Sequence, residues 1–154
     1  MAGNALHREP ETVIIVEDYP MVRESARACV QSLGYDTITA EDGVAGYNTI
    51  LQCLNNLPQG GVLRVITDTN MPNMNGIDML NEFLAFQKDA RRKLHIAVMS
   101  GKKDRTAEVD NFHCVFLAKP FVLQDLKNFL ALTVDTATES VTEKLPESAV
   151  SVAQ

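Results

Sequence analysis

The chain has little of what a disulfide framework, a basic binding surface or a membrane span requires. Cysteine is scarce: Cys29, Cys53 and Cys114 are an odd set with no Cys-x-x-Cys spacing. Neither a disulfide scaffold nor a zinc cluster is indicated, and the three read as free thiols of a reducing cytoplasm. Positive charge is in deficit, with 14 Lys and Arg against 20 Asp and Glu and a net charge of -6. Sequence-independent nucleic-acid binding relies on Lys and Arg neutralising phosphates, so no direct nucleic-acid partner is expected. No apolar run approaches the ~20 residues of a membrane span. Met1 to Thr12 carries Arg8, Glu9 and Glu11 and lacks the apolar stretch of a signal peptide. The expectation is a cytoplasmic product with no membrane insertion. His7, His95 and His113 lack helical metal spacing and are assigned no chemistry.

What is present is a repeated alternation. A length of 154 residues with 45% hydrophobic content suits one domain around a single core. Val13-Ile14-Ile15-Val16 is a short, β-branched, fully apolar run, the pattern of a strand buried on both faces of a parallel sheet. Similar runs follow at Thr37–Ala40, Val62–Thr67 (interrupted by Arg64), Ile96–Met99 and Val115–Ala118. Helical periods lie between them. Val22, Ala26, Cys29, Val30 and Leu33 mark one face, with Pro20 suited to the first turn and Gly34 to a C-terminal stop. Asp42 is placed to accept first-turn N–H groups of a second helix, whose apolar face runs through Tyr47, Ile50, Leu51, Leu54 and Leu57. A third helix uses Ile77, Leu80 and Leu84, and the last uses Leu123, Leu126 and Leu130. Only Lys102 to His113 is left for a fourth helix, which should be short or irregular.

Five alternations of strand and helix with right-handed crossovers make a doubly wound α/β fold with a five-stranded parallel sheet. Residues 1–11 read as a flexible N-terminus and residues 12–132 as the domain. From Thr133 to Gln154, seven of 22 residues are Ser or Thr, and four acids face one lysine. That stretch reads as an acidic tail or linker with little core-forming capacity.

The chemistry-bearing residues stand where the apolar runs end. Asp68 closes one and leads into Met71-Pro72; a carboxylate there can be a nucleophile, a metal ligand or both. Glu17-Asp18, Ser100 and Lys119-Pro120 follow other runs in the same way. Taken singly, each has a plainer reading: a solvated acidic loop, a polar strand end, an ordinary turn. Met71, Met74 and Met79 also gather near Asp68, where gap-filling is the usual role of methionine.

In combination these residues resemble the receiver domain of two-component response regulators. The landmarks occur in sequence order over about residues 11 to 132: Glu17-Asp18 with Arg23, Asp42-Gly43, Asp68 with Met71-Pro72 and Gly76, Ser100-Gly101, and Phe116 ahead of Lys119-Pro120. The resemblance implies the flavodoxin-like strand order 2-1-3-4-5, with ligands at the carboxyl ends of the strands. It also implies that Glu17, Asp18, Asp68 and the backbone carbonyl of Asn70 hold Mg²⁺, with Mn²⁺ as a substitute. Two unit charges about 4 Å apart repel by about 4 kcal/mol at an effective dielectric near 20, so three gathered carboxylates need a cation, and Mg²⁺ prefers an incomplete oxygen shell.

By the same resemblance Asp68 accepts a phosphoryl group from phosphohistidine on a sensor histidine kinase or histidine phosphotransfer protein, with Lys119 holding charge on the transferring oxygens. Ser100 then donates to the phosphoryl group. Phe116 fills the space Ser100 vacates, or is plain core. The Lys119-Pro120 peptide is expected to be cis. Asn70 and Lys102 are candidates for tuning the lifetime of the phosphoryl group.

The implied role is a signalling domain rather than an enzyme, one that promotes its own phosphorylation and dephosphorylation and switches a surface for a downstream protein of unknown identity. The stretch from Ser100 to Lys119 is a few residues shorter than in most receivers, so the usual output surface is not assumed. Two alternatives stand beside this reading: a receiver-like interaction module that never takes phosphate, and the receiver part of a larger regulator. A flavin carrier of the flavodoxin type is disfavoured because Glu17-Asp18 would repel a phosphate. A haloacid dehalogenase-like phosphatase is disfavoured because Asp68-Thr69-Asn70 lacks the second acid.

Overall fold

The structure is a computed structural model, and it describes residues 11–58, 61–86, 93–101 and 115–131. The elements run β1 (Thr12–Val16), α1 (Pro20–Ser32), β2 (Asp36–Ala40), α2 (Gly43–Asn55), β3 (Leu63–Asp68), α3 (Gly76–Phe86), β4 (Leu94–Ser100), β5 (Val115–Ala118) and α4 (Leu123–Leu130). All four strand pairings are parallel, and the order is β2-β1-β3-β4-β5. This is the doubly wound, flavodoxin-like sheet that the strand–helix alternation and the resemblance imply. The expected short helix between Lys102 and His113, the N-terminus up to residue 10 and the tail from residue 132 lie outside the described residues.

Side-chain alternation along the strands divides the interior in two. Ile14, Val16, Val65, Ile96, Val98 and Phe116 face one way and pack with Ile50 of α2 and Met79, Leu80 and Phe83 of α3. Val13, Ile15, Ile66, Ala97, Met99, Val115 and Leu117 face the other way and pack with Ala26 and Val30 of α1 and Leu126, Phe129 and Leu130 of α4. A strand between two such layers is covered on both sides, and β1, β3 and β4 are buried along nearly their whole length, mostly by apolar side chains.

Helix ends follow local chemistry. Pro20 opens α1, and Gly34 closes it at φ +92° with its N–H on the Gln31 carbonyl, 3.0 Å away. The Asp42 side chain accepts the Ala45 N–H at 2.8 Å and caps α2.

Four expectations need correction. Thr37–Ala40 does not form a strand buried on both faces: only Ala40 is buried, and Ile38 is 41% exposed, because β2 is an edge strand with one neighbour. Leu123 is exposed, and the inward face of α4 is Leu126, Phe129 and Leu130. Leu57 lies beyond the end of α2. Arg64 does not interrupt β3. It is buried within the strand, paired with Glu11, and its guanidinium lies 5.6 Å from the centroid of the Tyr35 ring, so its charge is compensated where the periodicity showed only a break.

Candidate functional site

The carboxyl ends of β1, β3, β4 and β5 are neighbours in the sheet, and each delivers one part of the site. Glu17 and Asp18 leave β1, Asp68 ends β3, Ser100 ends β4, and Lys119 follows β5. A parallel sheet sends all its strands out at one edge, so residues up to 102 positions apart in sequence meet there. Glu17, Asp18 and Asp68 each offer an oxygen atom within 4.8 Å of the other two. Glu17 is 1% exposed and Asp68 7%.

The backbone around the cluster is tied down. Arg23, one turn into α1, reaches back with Nη1 to the Glu17 carbonyl at 2.8 Å and the Asp18 carbonyl at 3.4 Å. The Tyr19 N–H donates to Glu17 Oε1 at 3.1 Å. On the β3 side the Thr69 N–H donates to Asp68 Oδ1 at 2.8 Å, and the Gly76 N–H donates to the Thr69 carbonyl at 3.0 Å. Position 76 admits no side chain, since a Cβ there would stand 1.9 Å from the Asp68 carbonyl oxygen. Asn70 is exposed on the loop after Thr69.

The Lys119 ammonium is the cation within this cluster. Its Nζ lies 2.6 Å from Glu17 Oε2 and 3.2 Å from Asp68 Oδ1. Burial pushes the Glu17 carboxyl above its usual range and the Asp68 charge adds to that, while the hydrogen bonds from Lys119 and Tyr19 oppose it. Burial alone would lower the Lys119 ammonium, but its bond to Glu17 and the charges of Asp68 and Glu17 outweigh that and raise it. The Lys119 N–H is fixed to the Ser100 carbonyl at 3.0 Å, and the Lys119–Pro120 peptide is cis. Ser100 is 2% exposed. Phe116 pairs in register with Val98, two residues before Ser100, and is buried among the side chains of the α2–α3 layer.

The donor set passes a chemical test for a hard divalent cation. Two nearly buried carboxylates and a third beside them, all hard oxygen donors, supply the charge and ligand type such an ion selects, and too few ligands to enclose it. The structure thus brings together Glu17, Asp18, Asp68, Ser100 and Lys119. It keeps Phe116 in the core beside them and Asn70 on the loop, while Lys102 falls outside the described residues.

Sequence reasoning assigned no task to Arg23, to Asn73 or to the second oxygen of Asp42. The basic residue five positions past Asp18 was the available signal for the first. Asn73 carried none beyond its place in a loop, where it now stands at φ +67° and donates from Nδ2 to Asp42 Oδ2 at 2.9 Å.

A family model described as the response regulator receiver domain matches residues 13–131. Among curated proteins, the response regulator MprA of a Mycobacterium species is 28% identical over 157 residues, spanning 86% of this chain and 64% of that protein. A probable transcriptional regulatory protein of Picosynechococcus is 27% identical over 114 residues, 74% of this chain and 45% of that protein. The chain therefore spans about half to two-thirds of the curated relatives it matches.

Among solved structures, the CheX-CheY-BeF3-Mg complex from Borrelia burgdorferi contains a similar chain at TM-score 0.65 and 22% identity, covering 79% of this chain and 87% of that one. TrrA of Thermotoga maritima, in complex with Mg(2+)-BeF, aligns at TM-score 0.63 and 22% identity over 78% of this chain and 96% of that one. A co-crystal of the Saccharomyces cerevisiae histidine phosphotransfer protein Ypd1 with the receiver domain of Ssk1 aligns at 0.62 and 19%, over 77% and 85%. At these identities the three speak for the fold.

Proposed function

The chain belongs to the response regulator receiver domain family over residues 13–131, and from that membership we propose that it is a phosphoacceptor switch whose acceptor is Asp68. The observation that carries the reading is the three-carboxylate cluster with Lys119 shared between Glu17 and Asp68. In the proposed transfer a carboxylate oxygen of Asp68 attacks the phosphorus of a phosphohistidine, the P–N bond breaks, and the electron pair returns to the imidazole. The product is an aspartyl phosphate. Lys119 holds negative charge on the transferring oxygens, and its own position is held by Glu17 and by the backbone bond to Ser100.

Mg²⁺, or Mn²⁺ in its place, would be held by Glu17, Asp18, Asp68 and the backbone carbonyl of Asn70, and when bound it supplies charge neutralisation at the transferring oxygens. Afterwards Ser100 donates its hydroxyl to the phosphoryl group, and Phe116 moves into the space Ser100 leaves. A charge-assisted hydrogen bond of this kind is about twice as strong as a neutral one, enough to bias a side chain between two positions.

The donor is a protein, either a sensor histidine kinase or a histidine phosphotransfer protein, and the site's rim suits one. Tyr19 and Met21 after β1, and Val122 and Leu123 after β5, are large apolar side chains left exposed. Tyr19 bonds Glu17 through its N–H and Val122 lies three residues past Lys119, so each pair is close in sequence to a residue of the cluster. In the Ypd1 and Ssk1 pair a receiver of similar fold meets a phosphotransfer protein, which supports this class of partner. A module that never takes phosphate is not favoured, because Glu17, Asp18, Asp68 and Lys119 are all present and assembled. That the curated relatives are longer than the matched stretch favours, as a second reading, a receiver within a larger regulator.

The test is intact mass after incubation with acetyl phosphate, with and without Mg²⁺, and then with a phosphorylated histidine phosphotransfer protein. A phosphoryl adduct that needs Mg²⁺ and is absent from Asp68→Ala is the expected result. No adduct from either donor would sink the reading.

A further inference from the structure

Asp42 sits at the start of α2, after the edge strand, and belongs to none of the strand ends that build the site. Its two oxygens do different work. Oδ1 caps α2 through the Ala45 N–H at 2.8 Å, while Oδ2 leaves the helix and accepts from Asn73 Nδ2 at 2.9 Å. Asn73 lies on the loop that joins Asp68 to α3.

That loop is tied at both ends. At its base the Gly76 N–H holds the Thr69 carbonyl at 3.0 Å, and the Thr69 N–H holds both the Met99 carbonyl at 3.2 Å and Asp68 Oδ1 at 2.8 Å. At its tip the Asn73 amide is bound to Asp42, and the Gly43 N–H donates to the Met74 carbonyl at 3.1 Å. The tip contact is close: a Cβ on Gly43 would come within 2.1 Å of the Met74 carbonyl oxygen. Asn73 adopts φ +67°, a left-handed conformation that Asn tolerates better than most residues. Asn70 is exposed and stands between base and tip, so its carbonyl takes the position the two ties allow. The Asp42 carboxyl is held below the usual carboxylate range by the Ala45 N–H and then by the Asn73 amide, as expected of a carboxylate whose ionised form is used in both bonds.

We propose that Asp42 is a positioning residue for the metal end of the site: by latching Asn73 it sets where the Asn70 carbonyl stands, and with it the affinity for a divalent cation. This rests on the reading of the site given above and deepens it. Serine caps a helix about as well as aspartate but has no second oxygen to reach Asn73, so Asp42→Ser separates the latch from the cap. Asn73→Gly keeps the left-handed backbone and removes the donor.

Mg²⁺ alone is titrated calorimetrically into the full chain, and amide hydrogen exchange is followed across residues 69–75 without metal. Each variant should bind Mg²⁺ roughly threefold to tenfold more weakly, as loss of one ordinary, solvent-exposed hydrogen bond predicts. The double variant should lose no more than either single one, because the two residues share one interaction. Exchange at residues 69–75 should quicken in all three. Mg²⁺ affinity equal to the parent's in both single variants, whatever happens to the melting temperature, overturns the latch, and so do losses that simply add. A parent protein that takes up no Mg²⁺ overturns the metal reading and the latch together, which separates the two failures.

Discussion

The Lys119 ammonium lies 2.6 Å from Glu17 Oε2, a pairing that spans 102 positions of sequence and joins the end of β1 to the end of β5 across the whole acidic site. Glu17 is almost wholly buried and Lys119 about a quarter exposed, so burial pushes the Glu17 carboxyl upward and the bond from Lys119 opposes that push. The same ammonium also reaches Asp68, which makes one side chain both the support of a proposed metal ligand and the partner of the proposed acceptor.

Replacing Lys119 should therefore damage transfer more than folding. Lys119→Ala removes the charge proposed to face the transferring oxygens, and losses of such donors are on the order of a hundredfold or more in rate. The initial rate of adduct formation from acetyl phosphate at saturating Mg²⁺ checks this; a rate within about twofold of the parent would leave Lys119 without a role in transfer.

The acidic cluster should oppose folding when no divalent cation is present. Asp18→Asn removes one of three mutually repelling charges. It is expected to stabilise the metal-free protein by about 1 kcal/mol, given the partial exposure of Asp18, and to weaken stabilisation by added Mg²⁺. Thermal unfolding with and without Mg²⁺ measures both effects. Equal Mg²⁺-dependent shifts in parent and variant would count against Asp18 as a ligand.

Gly76 tests the packing of the Asp68 backbone. An added Cβ would stand 1.9 Å from the Asp68 carbonyl oxygen, so Gly76→Ala must push apart the start of α3 and the end of β3. A destabilisation of about 2–3 kcal/mol is expected, with slower phosphorylation in the fraction that folds. Urea unfolding together with adduct formation checks the pair, and near-parental values of both would contradict the contact.

His95 supplies a pH dependence separate from the acidic cluster. It is 4% exposed on β4, level with Arg64 of β3, and its ring nitrogens have no hydrogen-bond partner among the described residues. Burial lowers the imidazole below its usual 6.5 and the Arg64 charge lowers it further, against a smaller upward pull from Glu11. The unfolded chain thus binds the proton first on acidification. The stability contributed by neutral His95 is fully present above about pH 6.5 and is lost as pH falls below it, at up to about 1.4 kcal/mol per pH unit. His95→Leu should flatten that slope in urea unfolding between about pH 7 and pH 5, and an unchanged slope would assign it to other groups.

The sheet was legible because buried parallel strands must be apolar on both faces, which marks Val13–Val16 and Ile96–Met99 in any reading of the chain. The edge strand was less so. Thr37–Ala40 shows the same β-branched character with only one residue buried, since β-propensity does not say how many neighbours a strand has. Arg64 misled for a related reason: periodicity treats an arginine as a gap, and only the three-dimensional placement of Glu11 and the Tyr35 ring makes its burial tolerable. Leu123 was assigned inward by spacing alone, although Phe129 completes the buried face of α4.

By itself the order of residues determined which groups are candidates for the chemistry, because a carboxylate, a hydroxyl or an ammonium set where an apolar run ends is visible in one dimension. It also determined the alternation from which the doubly wound sheet follows. Only the tertiary structure decided that Lys119 is shared between Glu17 and Asp68, that Arg23 turns back to hold the carbonyls of the acidic pair, and that Asp42 reaches across to Asn73. Such distances arise when separate loops are brought to one edge of the sheet, and no local pattern encodes how two loops meet.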